Sequence, residues 1–420
     1  MTTNRITGII WVGLPYDRGG YGTVTRNYVL GLRKIGVPVR LVNVGWKHDG
    51  LDRETLRILT ELEKADAGSY PIGVINYTPD FYRKVKFRNV VKTVGCTIYE
   101  TDRIPKSWVG PLNAMDEVWV PTEFNRQTFS RSGVSSQKIR VIPYAVDTDF
   151  YMPISETLPV PGKKGFTFLY AFAFGWRKGF DLLLEAYYKE FTEADDVTLI
   201  LKIYGWGNEQ ESIRDVVLGS VRDRVHLTTT RSPALVILDS SISQNDMRCL
   251  YNSCDLYVST ERAAGWGMTC MEAMAMGKPA AAISWGGSAA FMHSANSLLI
   301  NPEDTLVPVD ERLSSVLPAM FAGHRWPAVR VDEVRRVLRY AYAHRDQLQT
   351  IAKRGMDDVR SQYSQAVVAR HIQEIMAEEF PPKRTWPARL LRRPGVRVSG
   401  SVWRRWRDWK KRMQSRMSRR

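Results

Sequence analysis

The chain has 420 residues, 44% of them hydrophobic and 25% charged, with a formal net charge of +16. This is a globular composition long enough for two ordinary domains. The four cysteines (Cys96, Cys249, Cys254, Cys270) show neither a metal-type pair nor a disulfide framework, and the six histidines are scattered singly, which argues against a histidine metal cluster and for a reducing, cytoplasmic setting. The opening MTTNRITGIIWVGLP turns polar too soon for a secretory signal. The longest apolar stretch, FTFLYAFAFGW, is about half of what a spanning helix needs.

In chain order, TGIIWVGLPY reads as a strand, DRGGYG as a glycine turn, and TVTRNYVLGLRKIG as a helix capped by Thr23 and stopped by Gly36. The segment VPVRLVNV is the next strand. GVINYT, VGCTIYET, DEVWVPT and KIRVIPY read as short buried strands with helices between several of them. Met152–Gly165, with three prolines and no apolar period, reads as a linker. The pattern then restarts with strand FTFLYAFAF, turn GWRKG, helix FDLLLEAYYKEF and strand VTLILKIYG. Helix NDMRCLYNSC, strand DLYVST, a helix within GWGMTCMEAMAMGKP and strand PAAAISWGG follow. Residues 331 to 380 are long-helical. Strands alternating with helices predict two α/β, doubly wound, Rossmann-like domains facing a cleft, with ligands at the carboxyl ends of the strands.

Several constellations lie at such positions. Arg177 and Lys178 follow a strand and precede a helix, where a helix N-terminus favours an anion; they are either diphosphate ligands or two solvated charges. Gly265 and Gly267 open a helix of Met, Ala, Thr and Cys that carries one carboxylate, Glu272. Its neighbours along that face are Met268, Ala275 and Met276. An unpaired carboxylate there is costly. It meets either a ligand diol, such as a ribose, or an Arg or Lys. Gly286 and Gly287 follow the next strand, as amides for a sugar or phosphate or as an ordinary turn. Gly19, Gly20 and Gly22 lack the spacing of a dinucleotide fingerprint. Glu100 and Asp102 follow a strand as acceptor contacts, a base or a helix cap.

In order and spacing, these pieces resemble the GT-B glycosyltransferases of the large retaining group 1, or family 4, type. The resembling stretches are DEVWVPTEFNRQTF to KIRVIPYAVDTDFYMP, GWRKGFDLLLEAY, and CDLYVST to GWGMTCMEAMAMGKPAAAISWGG. The resemblance implies transfer of a hexose-type sugar from a nucleotide-sugar donor to a lipid-linked or cell-surface glycan acceptor, with retention and without a bound metal or other cofactor. It implies Arg177 and Lys178 on the diphosphate, Glu272 on the ribose, Gly286 and Gly287 along the sugar, and Gly19 and Gly20 closing over the donor; Gly267 stands at a helix mouth whose N–H groups suit a phosphate or sugar oxygen of the same donor. The implied division is an acceptor-side domain over residues 1–151, the linker 152–165 and a donor domain over 166–345. Helices follow over 346–382, which can cross back to the first domain. The family's first Glu falls on Ala264, leaving Glu261 as its substitute; Glu100 stands roughly where many members carry a histidine. Glu261, Glu100 and Asp102 are therefore the catalytic candidates, and Ala264 leaves open a catalytically inactive nucleotide-sugar-binding protein.

Residues 383–420 hold fifteen Lys and Arg against one acid, Asp408, a net +14 of the chain's +16. On a helical wheel Trp403, Trp406 and Trp409 share an apolar arc, with Arg404, Arg405 and their neighbours opposite. That pattern predicts an in-plane helix on an anionic membrane surface, placing the protein peripherally on the cytoplasmic face. A disordered basic tail is the bland alternative. Nucleic-acid binding is the rival, and is disfavoured because it needs no apolar arc.

Overall fold

A computed structural model describes residues 6–46, 50–205, 212–225, 232–377 and 394–399. Of the basic tail expected over residues 383–420 only 394–399 are described, so the in-plane helix expected around Trp403, Trp406 and Trp409 lies outside the described residues. Two compact units emerge. Among the described residues the first holds the chain up to Tyr99, Arg103–Asp147 and everything from Ser361 on; the second holds Glu100–Asp102 and Thr148–Arg360.

The first unit is a parallel sheet of six strands: β1 (Gly8–Gly13), β2 (Val39–Asn43), β3 (Pro71–Asn76), β5 (Thr93–Cys96), β6 (Glu117–Val120) and β7 (Ile139–Val141), in the order β2-β1-β3-β5-β6-β7. The strand β4 (Val85–Arg88) stands outside it, paired antiparallel with β16 (Gly395–Val398). β1 and β3 are buried throughout, as expected of strands covered on both faces. The helix after β1 spans Gly20–Lys34, not the segment from Thr23: Gly19 is its N-cap, and Thr23 donates its N–H to the Gly19 carbonyl from inside the first turn. The loop before it is fixed by Arg26, which is buried and donates to the carbonyls of Pro15 (2.9 Å) and Asp17 (2.6 Å). Gly22 is sterically required, since an added Cβ would lie 2.0 Å from the Asp17 carbonyl oxygen. The helix Gln365–Ala377 completes this unit by packing on Gly20–Lys34. Asn27 ties it in, donating to the Ala145 carbonyl (2.7 Å) and accepting from Gln365 (3.1 Å).

The second unit is a second parallel sheet of six strands. They are β8 (Phe166–Ala173), β9 (Val197–Tyr204), β10 (Ala234–Leu238), β11 (Leu256–Ser259), β12 (Ala280–Ile283) and β13 (Leu298–Ile300), in the order β10-β9-β8-β11-β12-β13. A hairpin-like pair, β14 (Leu306–Pro308) with β15 (Arg325–Pro327), follows. The Met152–Gly165 segment lies against this unit: Asn252 donates to the carbonyls of Ile154 (2.8 Å) and Glu156 (2.9 Å). The long-helical stretch contains three helices, Val331–Ala343, Arg345–Tyr363 and Gln365–Ala377, divided at His344 (φ −121°, ψ 51°) and at Ser364, which forms an isolated bridge with Val146. All four cysteines are free and buried, and burial pushes the thiols of Cys96, Cys254 and Cys270 up to about 12. Among the described residues no helix is long and apolar enough to cross a membrane.

Lys202 near the end of β9 has no exposed surface, and its ammonium rests on the carbonyls of Ser240 (2.7 Å), Leu238 (3.3 Å) and Ile203 (3.3 Å). Burial lowers its pKa from the ordinary 10.5 to about 8. Between those values the unfolded chain keeps a proton that the folded chain has shed, so stability rises with pH across that window; below it the cost of the buried charge is in full force. Denaturant titrations should show a gain of at least about 1 kcal/mol from pH 8 to 10.5. In Lys202→Met that rise should be absent.

Candidate active site

The order of the second sheet reverses between β8 and β11, and in such sheets a crevice opens beyond the carboxyl ends of those two strands. The register shows the opening. β8 pairs with β9 along its whole length, whereas its pairing with β11 ends at Leu169↔Tyr257. Beyond that point the Tyr257 hydroxyl takes over, accepting from the Ala171 N–H (3.3 Å) and donating to the Ala171 carbonyl (3.0 Å). The residues that follow the two strands, Arg177 and Lys178 after β8 and Glu261 after β11, therefore meet at one place.

The turn that carries the cations is a single 3-10 turn, Trp176–Lys178, closed by Gly179 at φ +63° and followed at once by the helix Phe180–Glu190. Tyr170 holds it from below, donating its hydroxyl to the Lys178 carbonyl (2.7 Å), and Thr260 holds it from the side, donating to the Gly179 carbonyl (2.9 Å). Glycine is required at 179 twice over: for its left-handed backbone and because a Cβ would lie 2.0 Å from the Thr260 carbonyl oxygen. Gly179→Ala should cost about 2–4 kcal/mol of stability, read from a urea melt.

Two cations and two acids interlock at this turn. The Arg177 guanidinium donates to the Glu261 carboxylate and to the Ala263 carbonyl, and lies 3.4 Å from Glu100; Lys178 sits 2.7 Å from the same Glu261 oxygen. All four side chains are between 11% and 23% exposed, so their charges are felt through little water. Burial opposes the charge of Arg177, but Glu100 and Glu261 more than offset it and its pKa stands above the ordinary value. Burial dominates at Lys178 and lowers its pKa despite Glu261. Burial also opposes ionisation of Glu261, yet Lys178 and Arg177 hold its carboxyl below the ordinary value. The cluster thus contains ionised Glu261 with both cations already engaged.

Glu272 lies on the helix Met268–Ala275, which begins at Gly267 (φ +103°) without a side-chain cap. It is 7% exposed, and the partner that the sequence did not disclose is Tyr251 of the helix Gln244–Asn252, whose hydroxyl donates to Glu272 Oε2 at 2.7 Å. Burial and then the adjoining Glu272 raise the Tyr251 pKa well above its usual value, so this phenol remains a donor. Tyr251 in turn packs edge-on against Tyr257, 5.6 Å between ring centres, which links Glu272 to the switch-point strand.

The remaining predicted residues separate by role. Gly286 has φ +70°. Gly287 does not offer a free amide: its N–H donates to the Ala264 carbonyl (2.8 Å), and a Cβ there would lie 1.9 Å from the Gly265 carbonyl oxygen, so this glycine lets the two loops touch. Gly19 donates its N–H to Asp17 (2.8 Å) and Gly20 opens a helix, both in the first unit. Asp102 is a clasp on β15, exchanging backbone and side-chain bonds with Arg325 (2.8 and 3.1 Å). The buried ring of His324 bonds the Thr101 hydroxyl at 2.7 Å, so Glu100 extends from a segment fastened on its far side. Neither His324 nor Arg262, which makes two bonds to buried Asp181 (2.8 and 3.0 Å), carries a local sequence signal; only long-range packing brings them here.

Residues 164–311 match the family model described as Glycosyl transferases group 1. The chain is 26% identical over 179 residues to mannosylfructose-phosphate synthase from Agrobacterium fabrum, a match covering 41% of this chain and 38% of that enzyme's length. It is similar to the crystal structure of Anabaena HepE in complex with UDP and glucose (TM-score 0.58, 13% identity, 88% of this chain and 98% of that one). It is also similar to sucrose-phosphate synthase from Thermosynechococcus elongatus (TM-score 0.62, 16% identity, 87% and 97%). The fold is GT-B. The group 1 match falls within the second unit, on the stretch whose motifs carried the resemblance.

Proposed function

We propose that this chain is a glycosyltransferase that takes a nucleotide-diphosphate hexose at the switch point of its second unit and transfers the sugar, with retention, to a lipid-linked or cell-surface glycan acceptor. The observation that carries the reading is the convergence of Arg177, Lys178 and Glu261 beyond β8 and β11. The group 1 match and the UDP complex of a GT-B neighbour support it. In this reading the diphosphate takes the place beside Arg177 and Lys178 that the Glu261 carboxylate now fills, and Glu272 receives the ribose hydroxyls. As the bond from the sugar to the diphosphate breaks, negative charge grows on the leaving oxygen. Fixed cations on a rigid turn stabilise that charge without reorganisation, and no metal is required of the chain. Glu261, released from the cations, accepts from the sugar; the acceptor oxygen bonds to the anomeric carbon that the diphosphate leaves, and its proton passes to the Glu100 carboxylate. The Trp- and Arg-rich segment holds the enzyme peripherally on the cytoplasmic membrane face. Nucleic acid is not a partner in this reading.

A panel of nucleotide sugars, scored first by thermal stabilisation and then by transfer or hydrolysis, tests it. Stabilisation by one donor with turnover supports the enzyme. Stabilisation without turnover favours a non-catalytic nucleotide-sugar-binding protein, a reading fed by Ala264, which offers only its backbone carbonyl to Gly287. No stabilisation by any donor removes the proposal.

A further inference from the structure

The fold brings two cation-rich, acid-free stretches of the chain side by side. Between Asp80 and Glu100 the sequence holds Arg83, Lys84, Lys86, Arg88 and Lys92 and no acid; from Phe380 to Arg407 it again holds none. β4 comes from the first stretch and β16 from the second. Their antiparallel register sets Val85 opposite Val398, Phe87 opposite Val396, and Lys86 directly opposite Arg397. Phe87 lies against Gly73 of the main sheet, where an added Cβ would come within 2.7 Å of its ring. Lys86, Arg88 and Arg397 are exposed. Lys92 is paired with Glu117, but among the described residues Lys86, Arg88 and Arg397 have no ion-pair partner.

Like charges directly opposite on neighbouring strands weaken the ladder, and a two-stranded ribbon has little stability to spare. One acid at 86 or 397 would relieve this, and the sequence places cations at both. We propose that the outward face of this ribbon, Lys86, Arg88 and Arg397, is a docking surface for the anionic headgroups of a lipid bilayer. The face is cationic and, among the described residues, without an ion pair, which is the complement of an anionic surface. β16 also runs within a few residues of Trp403, Trp406 and Trp409, whose spacing among arginines suits the boundary between headgroups and acyl chains rather than a phosphate backbone alone. The identity of the partner rests on the membrane-surface reading of that segment. The surface itself rests on register and exposure.

Flotation of the full-length protein with vesicles of phosphatidylcholine containing one quarter phosphatidylglycerol tests this, with pure phosphatidylcholine vesicles as reference. Wild type should float with the anionic vesicles only, and high salt should release it. The triple variant Lys86→Glu, Arg88→Glu, Arg397→Glu should bind about 100-fold more weakly or worse. Arg397→Glu alone should bind about tenfold more weakly while melting at the same or a higher temperature, because it now faces Lys86 with opposite charge. A folding defect cannot give that pair of results. Wild-type affinity in the single and triple variants overturns the docking surface. If Trp403→Ala, Trp406→Ala, Trp409→Ala then loses binding, the membrane reading stands and the ribbon alone is refuted. Equal flotation with neutral vesicles, or displacement by a single-stranded oligonucleotide whose binding is lost in Arg397→Glu, also overturns it.

Discussion

Glu272→Gln is expected to weaken donor binding by about 10- to 100-fold, which corresponds to about 1.4–3 kcal/mol. The carboxylate is buried on a helix whose other residues are Met, Thr, Cys and Ala, and Tyr251 donates to one of its oxygens. A ribose diol is a natural complement to such a group, since each hydroxyl can donate to a carboxylate oxygen. The amide keeps the volume and one acceptor but presents N–H to a hydroxyl that also needs to donate. Calorimetric titration with the donor found by the panel reads the loss, and the thermal melt without donor should stay within about 1 kcal/mol of wild type. Unchanged donor affinity would make Glu272 a structural partner of Tyr251 and nothing more.

The second large effect is expected at the interlocked charges, and it divides binding from chemistry. Arg177→Ala should lower kcat by about 10²–10³-fold, the range for removing one fixed donor from a developing anion. Glu261→Gln should also lower kcat, yet leave donor affinity equal or tighter, because it removes a negative charge from beside the two cations proposed to receive the diphosphate. Steady-state kinetics with an independent measurement of donor affinity checks both. The pH profile follows the same residues. Glu261 is held below the ordinary carboxyl range by its cations once burial has been overcome, so its ionised form persists as pH falls through that range. Lys178 is lowered by burial, so donor affinity should decline on the alkaline side before an ordinary lysine would lose its proton. A Glu261→Gln enzyme with full kcat would reduce that residue to a counter-ion.

Much of this is legible in the sequence, and the reason differs from one element to the next. β8, β9 and the helix Phe180–Glu190 announce themselves because a continuous apolar run and an apolar stripe are local patterns. The start of the first helix misled, since a threonine three residues on is the commoner cap, while here Gly19 has its N–H satisfied by Asp17 and serves instead. β16 gave no signal: four residues without strong alternation become a strand only when β4 offers an edge.

The site shows the same division. The sequence alone determined that Arg177 and Lys178 sit between a strand and a helix, that Glu261 follows another strand, and that Glu272 is a carboxylate in apolar surroundings, because residue type and spacing fix those facts within a few turns of chain. Only the tertiary structure decided that Glu261 takes both cations, that Glu100 joins them, that Tyr251 bonds Glu272, and that Lys86 faces Arg397. Each of those contacts joins residues distant in sequence. Strand order and register, which are set by burial of whole faces rather than by any local signal, choose such partners.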